Sequence, residues 1–151
     1  MRTLVLVSGA PGAGKSTLAP PLATHLGLPL LSKDVIKEAL FDTLGSVDDD
    51  PLTSSRRLGA AAMTLLWHLA GHCPAVMLEA NFRSASEYER DRVAELCPRP
   101  GRCWEVELVE TRPATEDQLV GQVRIVGDLH DEAGQREVLF DLVLGWPGSS
   151  R

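Results

Sequence analysis

The sequence is poor in lysine and in long apolar runs, and both shortages narrow the class of protein. Among its 151 residues only Lys15, Lys33 and Lys37 are lysines, and the formal net charge is −6 at pH 7. This charge disfavours a broad nucleic-acid-binding surface, because phosphate backbones attract clustered lysine and arginine. No apolar run approaches the ~20 residues of a membrane-spanning helix, and the amino terminus lacks a secretory signal pattern. We therefore expect a cytoplasmic protein that does not bind membranes.

Cysteine is also scarce. Cys73, Cys97 and Cys103 form an odd-numbered set without C-x-x-C spacing. That count and spacing argue against a disulfide framework and against a zinc ribbon. We expect three free thiols that pack as small apolar side chains in a reducing compartment.

Short apolar runs alternate with helical stripes along the whole chain. The predicted strands are 4–7, 28–32, 75–78, 104–109 and 123–126, and the predicted helices are 18–26, 34–44, about 54–71, 84–96 and 131–144. This alternation predicts an α/β domain with a five-stranded, mainly parallel sheet covered on both faces. The length and the 44% apolar content suit one domain over residues 1–151, with about 145–151 as a frayed tail.

A glycine-rich stretch, GAPGAGKS at residues 9–16, follows the first predicted strand and fits the phosphate-loop pattern G-x-x-x-x-G-K-[ST]. Glycines let the backbone turn tightly and direct N–H groups inward, and the following helix adds partial positive charge. Lys15 is expected to reach the β- and γ-phosphates and Ser16 to bind Mg²⁺. ATP and Mg²⁺ are thus the expected cofactors of a three-layer P-loop NTPase fold. The predicted nucleotide-binding residues are Gly9, Ala10, Pro11, Gly12, Ala13, Gly14, Lys15, Ser16 and Thr17.

Two prolines, Pro20 and Pro21, follow the loop where the next helix should run. An interior proline removes a helical hydrogen bond and costs roughly 3 kcal/mol. We expect a kink or a local opening there, and no disturbance of the loop before Thr17.

Two later stretches narrow the class of nucleotide-binding protein. The chain lacks the N-K-x-D pattern by which a small GTPase binds guanine, but it carries LSKD at 31–34 and VMLEANFR at 76–83. Together with the loop, over residues 3 to about 110, these stretches resemble the polynucleotide kinase, zeta toxin and chloramphenicol phosphotransferase group of P-loop kinases. This resemblance also implies that the chain is grouped with AAA-type ATP-binding proteins.

The resemblance implies roles for single residues at the ends of the second and third strands. It implies that Asp34 is the base that takes the proton of an acceptor hydroxyl; from the residues alone, Asp34 is equally a helix N-cap. The pattern of Glu79, a small residue and Asn81 matches the group's third-strand motif. Glu79 is predicted to hold the water shell of Mg²⁺. The predicted substrate-binding residues are Lys33, Arg56, Asn81 and Arg83, and for Lys33, Arg56 and Arg83 the alternative is a solvated surface charge.

Members of that group carry a helical lid with arginines after the fourth strand. Here no arginine stands at residues 119–121, and only Arg112 and Arg124 lie in this region. We expect a shortened lid, with three alternatives: Arg112 as the substitute catalytic arginine, an arginine supplied by another chain, or weak catalysis.

The sequence thus predicts an ATP-dependent phosphotransferase, a P-loop kinase that transfers the γ-phosphoryl group to a hydroxyl of a small molecule or of a nucleotide end. The negative charge disfavours a nucleic acid as the acceptor. A zeta-like toxin would differ mainly in its acceptor. The alternative from another class is a nucleotide-binding switch or interaction module with little transferase activity, which the reduced lid supports.

Overall fold

Strands and helices alternate along the part of the chain that the computed structural model describes, residues 2–83, 86–98, 102–115, 118–128 and 137–145. The elements are β1 (Thr3–Gly9), α1 (Lys15–Leu26), β2 (Leu30–Ser32), α2 (Lys33–Leu44), α3 (Pro51–Gly71), β3 (Ala75–Glu79), α4 (Glu87–Leu96), β4 (Arg102–Thr115), β5 (Gln118–Asp128) and β6 (Glu137–Gly145). The predicted α/β class is confirmed.

All six strands form one sheet in the order β2-β3-β1-β4-β5-β6. The first four strands in that order are parallel to their neighbours, whereas β5 and β6 join as antiparallel strands. The prediction of five strands is therefore short by one. The parallel part brings the carboxyl ends of β2, β3 and β1 to one edge of the sheet, where ligands bind in open α/β sheets.

The core lies on both faces of the parallel strands. Side chains of a strand alternate between the two faces, so Leu4 and Leu6 of β1 pack with α3 and α4, while Val5 and Val7 pack with α1. This produces the expected three layers and fixes the end of β1 between two apolar clusters.

The predicted helix over 131–144 is wrong where it can be checked, because Glu137–Gly145 is β6 and pairs antiparallel with β5; residues 131–136 lie outside the described residues. The segment EVLFDLVLG is a short apolar run, and such a run does not distinguish a helix from a buried strand. Backbone pairing with β5 decides the outcome.

The segment after β4 contains no lid helix among the described residues. Only residues 116 and 117 separate β4 from β5, and the two strands pair antiparallel, from Trp104 opposite Asp128 to Thr115 opposite Gln118. The expected shortening of the lid is confirmed.

Helix α1 runs without interruption through Pro20 and Pro21, so the expected local opening is absent. The two prolines leave the carbonyls of Ser16 and Thr17 without their usual i+4 donors. One turn later the Thr24 hydroxyl donates to the carbonyl of Pro20 at 3.0 Å. Gly27 ends the helix in the left-handed conformation, directly after the predicted helix over 18–26.

Candidate active site

The glycine-rich loop links β1 to α1 through three glycines in a conformation that other residues rarely adopt. The φ angles of Gly9, Gly12 and Gly14 are 140°, 81° and 91°. A side chain at these angles would strain the backbone, which explains the glycines of the motif. Gly14 is also the N-cap residue of α1 and has no side chain to satisfy the helix amides.

The loop exposes unsatisfied hydrogen-bond donors together with a buried cation. Within the described residues, the N–H groups of Gly12, Gly14, Lys15 and Ser16 donate to no protein acceptor. No acidic residue occupies the first turn of α1. The ammonium of Lys15 donates to the carbonyls of Gly9 and Ala10, each at 2.9 Å, although the residue is only 8% exposed. Free amides, a helix N-terminus and a lysine are the groups that bind a polyphosphate.

Parallel pairing places the ends of β2 and β3 next to this loop. Ser32 is in register with Glu79, and Glu79 is in register with Val7, two residues before Gly9. Beyond the ladder, the N–H of Ala80 donates to the carbonyl of Val7 at 3.2 Å. The hydroxyl of Ser8 donates to the carbonyl of Phe82 at 3.3 Å. The motifs after β2 and β3 therefore lie at the same sheet edge as the loop.

Glu79 is a nearly buried acidic residue at the end of β3. It is 3% exposed, and within the described residues its side chain makes no hydrogen bond or ion pair. Burying an uncompensated charge is costly, so such groups are normally paired or bound to a metal. Oxygen ligands suit Mg²⁺, which keeps several waters and also binds substrate phosphates. Glu79, with the exposed hydroxyl of Ser16 at the start of α1, therefore fits the expected metal.

Asp34 lies in the first turn of α2, at the end of β2, and its side chain is 66% exposed. The N-cap is Ser32, whose side chain accepts the N–H of Val35 at 3.5 Å, so the N-cap interpretation of Asp34 is wrong. The ammonium of Lys33 lies 3.8 Å from a carboxylate oxygen of Asp34. The Asp34 carboxylate is thus available to a ligand.

A cleft of about 620 Å³ opens beside Asp34, between α2 and the start of α3. Its walls include Phe41 of α2 and Ser54 of α3. Two hydrogen bonds hold the two helices and their connecting loop together: Lys37 Nζ donates to Ser55 Oγ at 2.7 Å, and the N–H of Val47 donates to Ser54 Oγ at 3.0 Å. The volume suits a small molecule.

The other predicted substrate-binding residues do not line this cleft. Asn81 and Arg83 are exposed just after β3, and the main-chain N–H of Arg83 donates to the carboxylate of Glu89. Arg56 is exposed on α3 and is absent from the cleft lining. Arg112 lies on β4, four positions beyond Leu108, the residue in register with Gly9. At about 3.3 Å per residue, its Cα lies about 13 Å past that row on the side of the loop.

Glu38 and Asp42, which line the cleft with Asp34, were not among the residues predicted from the sequence. The signal was present, because residues 34, 38 and 42 are spaced by four and share one face of a helix. Asp50 was also not predicted from the sequence. Its carboxylate accepts the N–H of Thr53 at 2.7 Å, and α3 begins at Pro51, three residues before the predicted start at about residue 54.

No helix of the described residues has the length and apolar character required to cross a membrane. The same part of the chain holds no cluster of three or more His, Cys, Asp or Glu side chains suited to a metal ion. Metal binding at the loop would therefore depend on hydroxyl, water and phosphate oxygens as well as on Glu79.

Comparison with known proteins defines the class to which this fold and loop belong. The sequence pattern of the AAA domain family matches residues 4–120, more than half of the chain. The chain therefore belongs to the AAA domain family, here a family of P-loop kinases.

Individual relatives are kinases. In an alignment 160 positions long, gaps included, the chain is 28% identical to a cytidylate kinase of Ignicoccus hospitalis, and the match covers 94% of this chain and 88% of that protein. A candidate kinase from Chloroflexus aurantiacus, known from its crystal structure, is 37% identical with a TM-score of 0.62. That match covers 70% of this chain, which spans only 58% of the Chloroflexus chain. These relatives support nucleotide binding and phosphoryl transfer in general, whereas membership of the polynucleotide kinase and zeta toxin group stays a prediction.

Proposed function

We propose that this protein is an ATP- and Mg²⁺-dependent kinase that transfers the γ-phosphoryl group of ATP to a hydroxyl of a small molecule in the cleft between α2 and α3. The observation that carries the proposal is the loop, with four free main-chain N–H groups and a buried lysine at the N-terminus of α1. Asp34 follows β2, which ends at the same edge of the sheet as the loop, and it lines the cleft.

In this mechanism the loop amides and Lys15 bind the phosphate chain. Lys15 exchanges its contacts with the carbonyls of Gly9 and Ala10 for oxygens of the β- and γ-phosphates. Phosphoryl transfer depends mainly on positioning and on neutralising charge. When bound, Mg²⁺ neutralises phosphate charge, and the oxygens of Ser16 and Glu79, the latter through water, would hold it.

Asp34 acts on the acceptor. Its carboxylate accepts the proton of the acceptor hydroxyl while the hydroxyl oxygen forms a bond to the γ-phosphorus. The bond from that phosphorus to the oxygen bridging to ADP breaks, and ADP leaves with the electron pair. Asp34 then releases its proton to solvent, which its exposure allows. Lys33 would orient the carboxylate from 3.8 Å.

Arg112 is the candidate that would stabilise charge on the transferring phosphoryl group, because it lies past the end of β1 on the side of the loop. Asn81, Arg83 and Arg56 would contact parts of the acceptor that extend beyond the cleft. A test of Arg112 is its replacement by lysine, which keeps the charge and loses the fork of donors.

The experiment compares Asp34→Asn with Asp49→Asn, an exposed carboxylate outside the cleft. Each variant is incubated with Mg-ATP and a panel of hydroxyl compounds while ADP is measured, and ATP affinity is measured by calorimetry. Acceptor-dependent ADP that disappears only in Asp34→Asn, with ATP affinity preserved, supports the kinase. The proposal is contradicted if the wild-type protein does not bind ATP, or if acceptor-dependent ADP formation persists in Asp34→Asn.

The absence of a lid helix between β4 and β5 favours a second candidate, a nucleotide-binding module with little transferase activity. It predicts tight binding of Mg-ATP without turnover for any member of the panel. The same experiment therefore separates the two.

A further inference from the structure

One wall of the cleft carries a row of three carboxylates, of which only Asp34 has an ion-pair partner, Lys33, among the described residues. Asp34, Glu38 and Asp42 follow one another at four-residue intervals on α2, and all three line the cleft. Like charges at this spacing destabilise a helix. Within the described residues neither Glu38 nor Asp42 belongs to an ion pair. Sequence features that destabilise local structure are expected mainly at functional sites. The row of like charges is therefore a candidate ligand-binding feature.

The rest of the lining does little to balance this charge. Lys37 is the only cation among the described residues that line the cleft, and its ammonium donates to the hydroxyl of Ser55 at 2.7 Å. No arginine lines the cleft in the part of the chain described above. Arginine is the residue that recognises phosphate and carboxylate groups through paired hydrogen bonds. Among the described lining residues, the cleft thus offers no guanidinium group for such paired hydrogen bonds to an anionic acceptor.

The remaining residues that line the cleft are suited to a small polar ligand. The ring of Phe41 presents an aromatic surface, to which a cation is attracted. Ser54 is 2% exposed and accepts the N–H of Val47, while its hydroxyl proton has no acceptor among the described residues. That proton can donate to a ligand oxygen. The volume of about 620 Å³ accommodates a sugar-sized molecule.

We infer that the acceptor is an ammonium-bearing hydroxyl compound, such as an amino alcohol or amino sugar. Its hydroxyl meets Asp34, and its ammonium group lies against Glu38 and Asp42. The inference rests on the proposed function, because it takes the cleft as the acceptor site of a kinase. It also separates this cleft from a cytidylate site, since the phosphate of cytidylate would meet carboxylates.

The test compares three hexoses with the same skeleton: glucosamine, glucose and glucuronate, together with cytidine 5′-monophosphate. ATP affinity is measured first by calorimetry, and acceptor-dependent ADP is then followed for each compound. We expect kcat/KM to be higher for glucosamine than for glucose by on the order of 10-fold, with no stimulation by the two anions. If glucuronate or cytidine 5′-monophosphate stimulates ADP formation as much as glucosamine does, the inference is wrong but the proposed kinase activity stands. The same conclusion follows if glucose is phosphorylated and glucosamine is not. Loss of ATP binding, or of all transfer, defeats the proposed function itself and the inference with it.

Variants of the charged wall provide an independent readout. Glu38→Gln and Asp42→Asn should each lower kcat/KM for glucosamine by about 2- to 5-fold more than they lower the value for glucose. Asp91→Asn makes the same change of charge on α4, outside the cleft, and should change neither value. Asp42→Lys should narrow or reverse the preference between glucosamine and glucuronate. Equal effects of the wall variants on both sugars, or none on either, overturn the inference.

Discussion

The phosphate loop and the cleft differ in the chemical groups that they present to a ligand. The loop presents main-chain N–H groups and one buried lysine, and it extends from β1, whose residues Leu4 to Gly9 are all buried. The cleft has one wall from α2, a helix with no buried residue, and one from α3, whose lining residues Ser54 and Leu58 are buried. The loop is therefore tied to the core, whereas the α2 wall of the cleft lies on the surface.

This difference has a functional meaning. A triphosphate is the same ligand in every nucleotide-dependent kinase, and backbone amides bind it with few requirements on side chains. The acceptor differs from one kinase to another, and exposed side chains of α2 can change without loss of core packing. The proposed function thus places acceptor specificity at positions where substitutions should cost the fold least.

The largest effect is expected at the loop, from Lys15→Ala. Removing a charge aimed at the transferring phosphates should lower kcat/KM on the order of 10³-fold and weaken ATP binding. Lys37→Ala removes the same charge from the cleft and should leave ATP affinity unchanged. Measurement of ADP formation and of ATP affinity checks both. Similar ATP affinities for the two variants would contradict the division of labour between the subsites.

The next effect concerns the border between the subsites. Asp34→Asn should lower kcat by roughly 10²- to 10³-fold, because it removes the proton acceptor. ATP affinity should stay the same, since the loop is intact. A large loss of ATP affinity in this variant would show that Asp34 serves the nucleotide and not the acceptor.

Glu79→Gln should separate activity from stability. The substitution removes a buried, unpaired charge, so the free energy of unfolding without ligand should rise by about 1 kcal/mol or more. The Mg²⁺-dependent rate should fall by about 10- to 100-fold. Thermal unfolding without nucleotide and ADP formation across a Mg²⁺ titration measure the two effects. A lower Tm for this variant would mean that the carboxylate has a stabilising role within the protein.

The smallest effect concerns the start of α3, which forms one wall of the cleft. The hydrogen bond from Thr53 lowers the pKa of the Asp50 carboxyl below its ordinary value of 3.8. Because the folded-state pKa lies below the unfolded value, the carboxylate stabilises the fold fully at a pH above the unfolded pKa. This stabilisation is lost as the pH falls through the folded-state pKa. Asp50→Ala should therefore lower Tm at pH 7, and Asp50→Asn much less.

Acid titration of Tm completes this test. The difference between the wild-type protein and Asp50→Ala should shrink as the pH falls below 3.8. Asp49→Ala removes a neighbouring exposed carboxylate and should track the wild type throughout. A difference that persists unchanged at the lowest pH would show that the carboxylate's charge is not what starts the helix.

Sequence patterns were sufficient wherever the backbone alone determined the structure. The loop at residues 9–16, its glycines and the end of α1 at Gly27 follow from φ requirements that only glycine meets easily. The strand Glu137–Gly145 was mistaken for a helix, because its identity depends on pairing with β5 rather than on its own residues. The cleft was missed as a unit for the same reason, since it exists only when α2 and α3 come together.

The most direct measurement is the amide NMR spectrum of the loop during titration with Mg-ATP. The account predicts large shifts at Gly12, Gly14, Lys15 and Ser16 with ATP and ADP, and none with adenosine, because the amides bind phosphate oxygens. If these four amides do not respond to ATP while the protein remains folded, the loop does not bind a triphosphate, and the account of this protein as a kinase is wrong.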